Sequence, residues 1–69
     1  MEFQVVISSN IRGIAYNKDT QELFVDFTSG SKYKYSGVPQ EDYDDFLSAP
    51  SKGSFFHDNI RDTYPSTQV

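Results

Sequence analysis

The spacing of hydrophobic residues changes at Pro39, and this change constrains the fold more than any other feature of the chain. Before Pro39, apolar residues occupy every second position. Leu23, Val25 and Phe27 are an example, with the polar Asp26 between the last two. After Pro39, apolar residues recur at intervals of three and four, which is the spacing of one face of a helix. Strands therefore come first and helices second, an order that predicts a small single α+β domain.

The alternating part divides into three to four strands of an antiparallel meander sheet. Strands are predicted around Val5, around Ile14, around Val25 and across residues 33–35, with a turn at residues 17–20. The apolar residues of each strand share one side. The sheet therefore has one buried inner face and one outer face that carries polar side chains.

The register of the last hairpin follows from these faces. A loop of residues 29–31 would place Phe27 opposite Tyr33 and Val25 opposite Tyr35, all on the inner face. A two-residue loop would instead bring an apolar side chain opposite a charged one, so the three-residue loop is preferred. The turn type stays open at this stage.

Two short helices are predicted to follow the sheet and to pack on one of its faces. The first starts at Pro39, whose missing N–H is no loss in a first turn, and ends before Pro50. Ser51 has the hydroxyl that caps a second helix. The apolar faces of the two helices consist of Tyr43, Phe46, Leu47, Phe55, Phe56 and Ile60.

The composition indicates a domain that depends on packing alone. The chain has 69 residues, five tyrosines, six phenylalanines and no cysteine. A chain this short buries only about 60% of its unfolded surface, so bulky aromatic residues are needed to fill the core. The absence of cysteine is typical of a reducing cytoplasm. No signal peptide and no apolar run long enough for a membrane helix are found, so a cytoplasmic protein without membrane contact is expected.

The net charge of −4 is concentrated in one segment. The residues before and after it are balanced, and the whole excess comes from Glu41, Asp42, Asp44 and Asp45. The molecule should therefore have one acidic edge on a neutral body. Such a protein can bind nucleic acid through a local basic patch, but its long-range field does not attract phosphate.

A series of short motifs runs from residue 8 to residue 64 in a fixed order. The motifs are Ser8-Ser9-Asn10-Ile11, Val25-Asp26-Phe27, Tyr33-Lys34-Tyr35, Gly37-Val38-Pro39, Ser51-Lys52-Gly53, Phe55-Phe56 and Ile60-Arg61. In this order and spacing the chain resembles the KTSC domain, a module at the C-terminus of some lysyl-tRNA synthetases and in free-standing bacterial and phage proteins. The resemblance covers residues 8–64 and implies one compact α+β module. We expect this domain over residues 1–65, and the polar residues 66–69 after Pro65 predict a flexible tail. The resemblance also implies RNA binding as the suggested function.

The strand at residues 33–35 offers one candidate site for RNA. Tyr33 and Tyr35 could stack on bases, although both lie on the predicted inner face, which favours a role in the core. Lys32 and Lys34 point to the outer face, and Arg12 is expected near them. These three cations are the better candidates for phosphate contacts, and a solvated sheet face without a ligand is the alternative.

The start of the second helix offers another candidate. Unbonded N–H groups at a helix N-terminus attract anions, and Ser51 and Lys52 stand at this position. The glycine spacing of a phosphate-binding loop is missing, so a simple helix cap is the alternative. Arg61 could be a further phosphate contact or could pair with a carboxylate.

Catalysis and metal binding are not expected. His57 is the only histidine, and neither a cysteine nor a nucleophile elbow accompanies it. The acidic segment lacks the alternate spacing and the glycine of a calcium loop.

The sequence predicts a non-catalytic binding module without cofactor or metal. RNA is the first partner to test. The alternative is a protein adaptor that uses Phe24 on the outer sheet face and Glu41, Asp44 and Asp45 on the acidic helix. The sequence leaves the oligomeric state open.

Overall fold

Four strands, two helices and a fifth short strand follow one another along the described residues, which confirms the predicted α+β fold class. The computed structural model describes residues Gln4–Val5 and 10–69, and the predicted first-strand residues Phe3 and Ile7 lie outside them. The elements are β1 (Gln4–Val5), β2 (Ile11–Asn17), β3 (Glu22–Phe27), β4 (Lys32–Ser36), α1 (Gln40–Ser48), α2 (Lys52–Asn59) and β5 (Ser66–Gln68).

The strands of the described residues form one antiparallel sheet in the order β1-β2-β3-β4-β5. A β-bulge interrupts the pairing of β2 with β3 between Ile11 and Gly13. Ile11 and Ile14 are three positions apart, so strict alternation would send them to opposite faces. The extra residue of the bulge brings both to the inner face, where their exposures are 1% and 0%.

The β3–β4 hairpin has a loop of residues 28–30 rather than the predicted 29–31. The N–H of Phe27 donates to the carbonyl oxygen of Ser31 at 2.9 Å, which closes the loop. Gly30 takes the last loop position with a φ of 97°. A three-residue hairpin loop commonly ends in a residue with positive φ, which glycine adopts at least cost, and this requirement sets the loop position.

The predicted register was therefore wrong by two residues. Val25 lies opposite Tyr33, and Leu23 lies opposite Tyr35. Because side chains alternate with a period of two, a shift of two residues leaves each on its predicted face. Tyr35 is only 4% exposed and Tyr33 packs against the core, in agreement with the core interpretation of both rings.

Phe56 of α2 joins the helices to the sheet. Its ring lies 5.5 Å from that of Phe27, 5.4 Å from that of Tyr35 and 6.4 Å from that of Phe46, measured between centroids. The two helices therefore cover the inner face of the sheet. The buried core consists of Ile11, Ile14, Leu23, Val25, Tyr35, Val38, Phe46, Phe56 and Ile60.

The helix boundaries follow the predicted signals. Pro39 is the N-cap of α1, and the hydroxyl of Ser51 accepts a 3.3 Å hydrogen bond from the Ser54 N–H at the start of α2. The Lys52 Nζ donates at 2.6 Å to the carbonyl oxygen of Ala49, which follows α1. Neither helix in the described part of the chain is long and apolar enough to cross a membrane.

The expected tail at residues 66–69 includes a short strand. Ser66–Gln68 form β5, which pairs with β4, and the N–H of Val69 donates to the carbonyl oxygen of Lys32 at 2.9 Å. The polar sequence after Pro65 has no apolar alternation that would predict a strand. Backbone pairing with an open sheet edge, which any side chain permits, creates this strand.

Candidate nucleic-acid interface

The outer face of the sheet is the surface that faces away from the helices. Because side chains alternate along a strand, the residues that precede and follow an inner-face residue in the sequence point to the outer face. Three of the six predicted nucleic-acid contacts, all cationic, lie on this surface. The outer face comprises Arg12, Ala15, Glu22, Phe24, Asp26, Lys32 and Lys34.

Two ion pairs hold cations on the outer face. The guanidinium of Arg12 contacts both carboxylate oxygens of Asp26, with Nε–Oδ2 and Nη2–Oδ1 distances of 3.2 and 3.3 Å. Lys34 Nζ lies 3.2 Å from Glu22 Oε2. A hydrogen bond from the hydroxyl of Thr20, and then the one from Lys34, lower the pKa of the Glu22 carboxyl. The Arg12 side chain is the most exposed member of the two pairs, at 60%, and the other three side chains are 14–31% exposed.

Among the residues that the structure describes, Phe24 is the aromatic residue of the outer face. Its backbone lies opposite Ala15 on one side and opposite Lys34 on the other. Ala15 is fully buried and Phe24 is half-buried. Two apolar residues are therefore neighbours in the middle of the outer face, and Lys34 is the register partner of Phe24 on the next strand.

The other three predicted contacts lie on the helix side of the sheet. The Ser51 hydroxyl caps α2, and the Lys52 ammonium is bonded to the carbonyl of Ala49. Arg61 Nη2 lies 3.3 Å from Asp62 Oδ2. The structure thus brings Arg12, Lys32 and Lys34 to one face, and it separates them from Ser51, Lys52 and Arg61.

The predicted protein-binding residues are separated in the same way. Glu41, Asp44 and Asp45 are exposed on α1, which covers the inner face, whereas Phe24 lies on the outer face. Carboxylate oxygens of Glu41, Asp42 and Asp45 lie within 4.8 Å of one another. One flat partner surface therefore does not reach both the acidic helix and Phe24.

His57 has the environment of an exposed helical histidine. Its Nδ1 lies 3.2 Å from Oδ1 of the adjacent Asp58, and both side chains are mostly exposed. The hydroxyl of the nearby Ser51 is used in a separate contact, because it accepts a hydrogen bond from the backbone N–H of Ser54.

A tyrosine cluster that the sequence did not indicate lies between β2 and α1. The rings of Tyr16 and Tyr43 stack with centroids 4.6 Å apart and an interplanar angle of 13°. The Tyr16 hydroxyl donates to the carbonyl oxygen of Val38 at 2.6 Å. Burial, and then the negative charges of Asp44 and Asp42, raise the pKa of Tyr16.

Tyr64 connects the segment before β5 to this cluster. Its hydroxyl donates a hydrogen bond to Oδ2 of Asp42 on α1. This hydrogen bond is the largest cause that raises the pKa of Tyr64 to about 12, followed by burial. The bonded residues are 22 positions apart, and no local pattern in the sequence connects them.

The motif order noted in the sequence corresponds to a known domain. The profile of the KTSC domain matches residues 7–64. The chain belongs to the KTSC domain family. The crystal structure of a KTSC domain protein from Yersinia pestis is similar to this KTSC domain, with a TM-score of 0.96 and 35% identity over 99% of this chain and 96% of that one. The resemblance predicted from the motifs is confirmed.

KTSC relatives include a segment of a large enzyme and a small protein. The lysine–tRNA ligase of Nostoc punctiforme is 38% identical over 61 residues, which cover 88% of this chain and 11% of the ligase. An uncharacterized protein of Stutzerimonas stutzeri is 40% identical over 50 residues, covering 72% of this chain and 70% of that protein. The similarity to the ligase concerns this small part of it and not its full length.

Proposed function

We propose that this KTSC domain is a non-catalytic RNA-binding module and that the outer face is its contact surface. The observation that carries the proposal is the position of Phe24. Its half-buried side chain lies beside Lys34 in register, and Arg12 and Lys32 lie on the same face. An aromatic side chain among cations on a sheet surface can stack on an unpaired base while the cations contact the phosphates around it.

The ion pairs of the outer face suit this role. The Arg12 side chain is 60% exposed, and its partner Asp26 is 14% exposed. A phosphate can therefore approach the guanidinium from the solvent side and bind it with two parallel hydrogen bonds. Lys34 is 31% exposed and can reach a second phosphate in the same way.

The distribution of negative charge supports the same surface. The carboxylates responsible for the net charge are on α1, and α1 packs against the inner face. The outer face is thus the side on which an RNA strand meets the least repulsion. The Nostoc punctiforme relative is a ligase whose name states a tRNA substrate, which agrees with an RNA partner.

Titration of labelled single-stranded RNA and of an RNA hairpin, at low and at moderate salt, tests the proposal. Arg12→Ala and Lys34→Ala should each weaken binding and reduce the salt slope by about 0.7 for single strands, because each phosphate contact releases counterions. Phe24→Ala should weaken binding without changing the slope, since stacking releases no counterions. Arg61→Ala is the matched control on the helix side and should bind as the unmodified protein does.

Two outcomes would contradict the proposal. Absence of binding at tens of micromolar protein in low salt would eliminate RNA as the partner, because non-specific electrostatic contact alone is visible there. An equal loss from Arg61→Ala and Arg12→Ala would show that the outer face is not the contact surface. The protein adaptor, with the exposed carboxylates Glu41, Asp44 and Asp45 on α1 as its contacts, would then be tested by affinity capture.

A further inference from the structure

The strand β5 is attached to the sheet almost entirely by its backbone. Its three side chains are all exposed, and Val69 after it is 61% exposed. Backbone hydrogen bonds continue the pairing beyond both ends of the strand. The Ser36 N–H donates to the Pro65 oxygen at 3.0 Å, and the Val69 N–H donates to the Lys32 oxygen at 2.9 Å. The strand therefore buries no apolar side chain of its own when it docks.

The residue just before this strand is attached in a different way. Tyr64 packs against the hydrophobic core, and its hydroxyl donates to the carboxylate of Asp42. Pro65 then starts the segment that runs along β4. Attachment by side chains thus ends at Tyr64, and residues 65–69 form a unit that can open while Tyr64 stays in place.

We propose that β5 is an exchangeable strand and that the edge of β4 which it covers binds the β5 of a second copy of this chain. The complementarity needed for this exchange is present within one molecule. β4 and β5 pair over three residues on each strand: Tyr33 with Gln68, Lys34 with Thr67 and Tyr35 with Ser66. A second copy presents the same strand and can form the same hydrogen bonds.

A second copy carries the same segment that satisfies this edge within one chain. The register is fixed at both ends by the bonds to Ser36 and Lys32, and residues 65–69 satisfy both bonds with a proline at the first position. Proline lacks an N–H, and at this position its carbonyl oxygen accepts the bond from Ser36. The product of reciprocal exchange is a symmetric dimer that keeps the strand pairing of each sheet.

A reversible disulfide between β4 and β5 tests the exchange. The chain has no cysteine, so Lys34→Cys with Thr67→Cys creates the only thiols. Antiparallel partners have Cα atoms about 4.5–5.5 Å apart, within the range that a disulfide spans. The oxidised double variant, purified as a monomer, cannot release β5, and its reduced form is the matched control.

Light scattering coupled to size exclusion at millimolar protein gives the readout. The unmodified chain and the reduced variant should show a concentration-dependent species with twice the monomer mass of 7.9 kDa, and the oxidised variant should remain monomeric. A chain that stays monomeric at all concentrations would overturn the proposal. Dimers formed equally by the oxidised variant would also overturn it, since they would use another surface.

Mixing two single-cysteine variants identifies the contact directly. Lys34→Cys and Thr67→Cys, mixed and oxidised at high concentration, should give a disulfide-linked heterodimer in several-fold higher yield than Lys18→Cys mixed with Thr67→Cys. Lys18 is an exposed turn residue outside the β4–β5 pairing, so it reports random collisions. Equal yields from the two mixtures would contradict the exchange.

Discussion

The ring of Phe56 on α2 meets the ring of Tyr35 on β4 edge to face, with centroids 5.4 Å apart and an interplanar angle of 81°. Both side chains are almost completely buried, at 6% and 4% exposure. The contact connects the second helix to the strand that carries Lys34 on its opposite side. The outer face and the helix layer are therefore two sides of one core.

Phe56→Ala should reduce the free energy of unfolding by about 3–5 kcal/mol, because it removes a ring that contacts three other aromatic rings and leaves a cavity. A loss of this size is a large fraction of the stability of a small domain. Urea denaturation followed by circular dichroism measures it. Leu47→Ala is the control, since Leu47 is 37% exposed, and it should cost much less. A urea midpoint of Phe56→Ala equal to that of the unmodified chain would show that α2 is not docked as described.

Gly30→Ala should destabilise the domain by about 1–2 kcal/mol, because a side chain is unfavourable at positive φ. The φ of Gly30 is 97°, and a Cβ there would meet no atom within 4 Å, so the cost comes from the backbone and not from a clash. Gly30→Asn is the matched variant and should cost less, since asparagine tolerates this region better. Equal urea midpoints for Gly30→Ala and the unmodified chain would contradict the loop assignment.

The hydrogen bond between Tyr64 and Asp42 should make stability fall at alkaline pH. The pKa of Tyr64 is raised from 10.0 to about 12 in the folded chain, so the stabilisation is complete below pH 10 and is lost as the pH rises toward 12. Tyr64→Phe should therefore show a weaker decline between these values, measured by urea denaturation at a series of pH values.

Asp42→Asn is the second variant for this prediction. The amide oxygen can still accept the Tyr64 hydrogen bond, but the negative charge that opposes deprotonation is gone. The tyrosinate absorbance of Tyr64 should then appear at lower pH than in the unmodified chain. Identical alkaline titrations of Asp42→Asn and the unmodified chain would show that the carboxylate does not control this hydroxyl.

Reversal of the charges on α1 should separate folding from RNA binding. Glu41→Lys, Asp44→Lys and Asp45→Lys together should change the free energy of unfolding by no more than about 1 kcal/mol, since exposed charges contribute little. The affinity for RNA at fixed low salt should rise, because the repulsive charge is removed. The neutral set Glu41→Gln, Asp44→Asn and Asp45→Asn should have an intermediate affinity. An affinity unaffected by either set would show that the helix charges do not reach the RNA.

The helices and the faces of the strands were predictable because they depend on neighbours in the sequence. Pro39 and Ser51 mark the two helix starts by local chemistry, and alternation around Val25 sets the faces of β3. The loop position was missed by one residue. The glycine at position 30 was the sequence signal that could have corrected it, because a three-residue loop usually ends in a residue of positive φ, and Gly30 has a φ of 97° in the structure.

The tyrosine cluster, β5 and the split of the candidate site were not predictable in this way. Tyr16 with Val38 and Tyr64 with Asp42 are pairs 22 residues apart, and their contacts depend on how whole elements are placed. Lys52 is similar: a lysine at a helix start resembles an anion contact in the sequence, yet its ammonium binds the Ala49 carbonyl at the end of the previous helix.

The layered arrangement of charge gives the domain an electric dipole moment across the sheet. The α1 carboxylates form its negative end, and the cations of the outer face lie at the other end. In the field of a polyanion this dipole produces a torque that turns the outer face toward the polyanion before contact. A molecule with an unfavourable net charge can thus still approach a polyanion with its outer face in front.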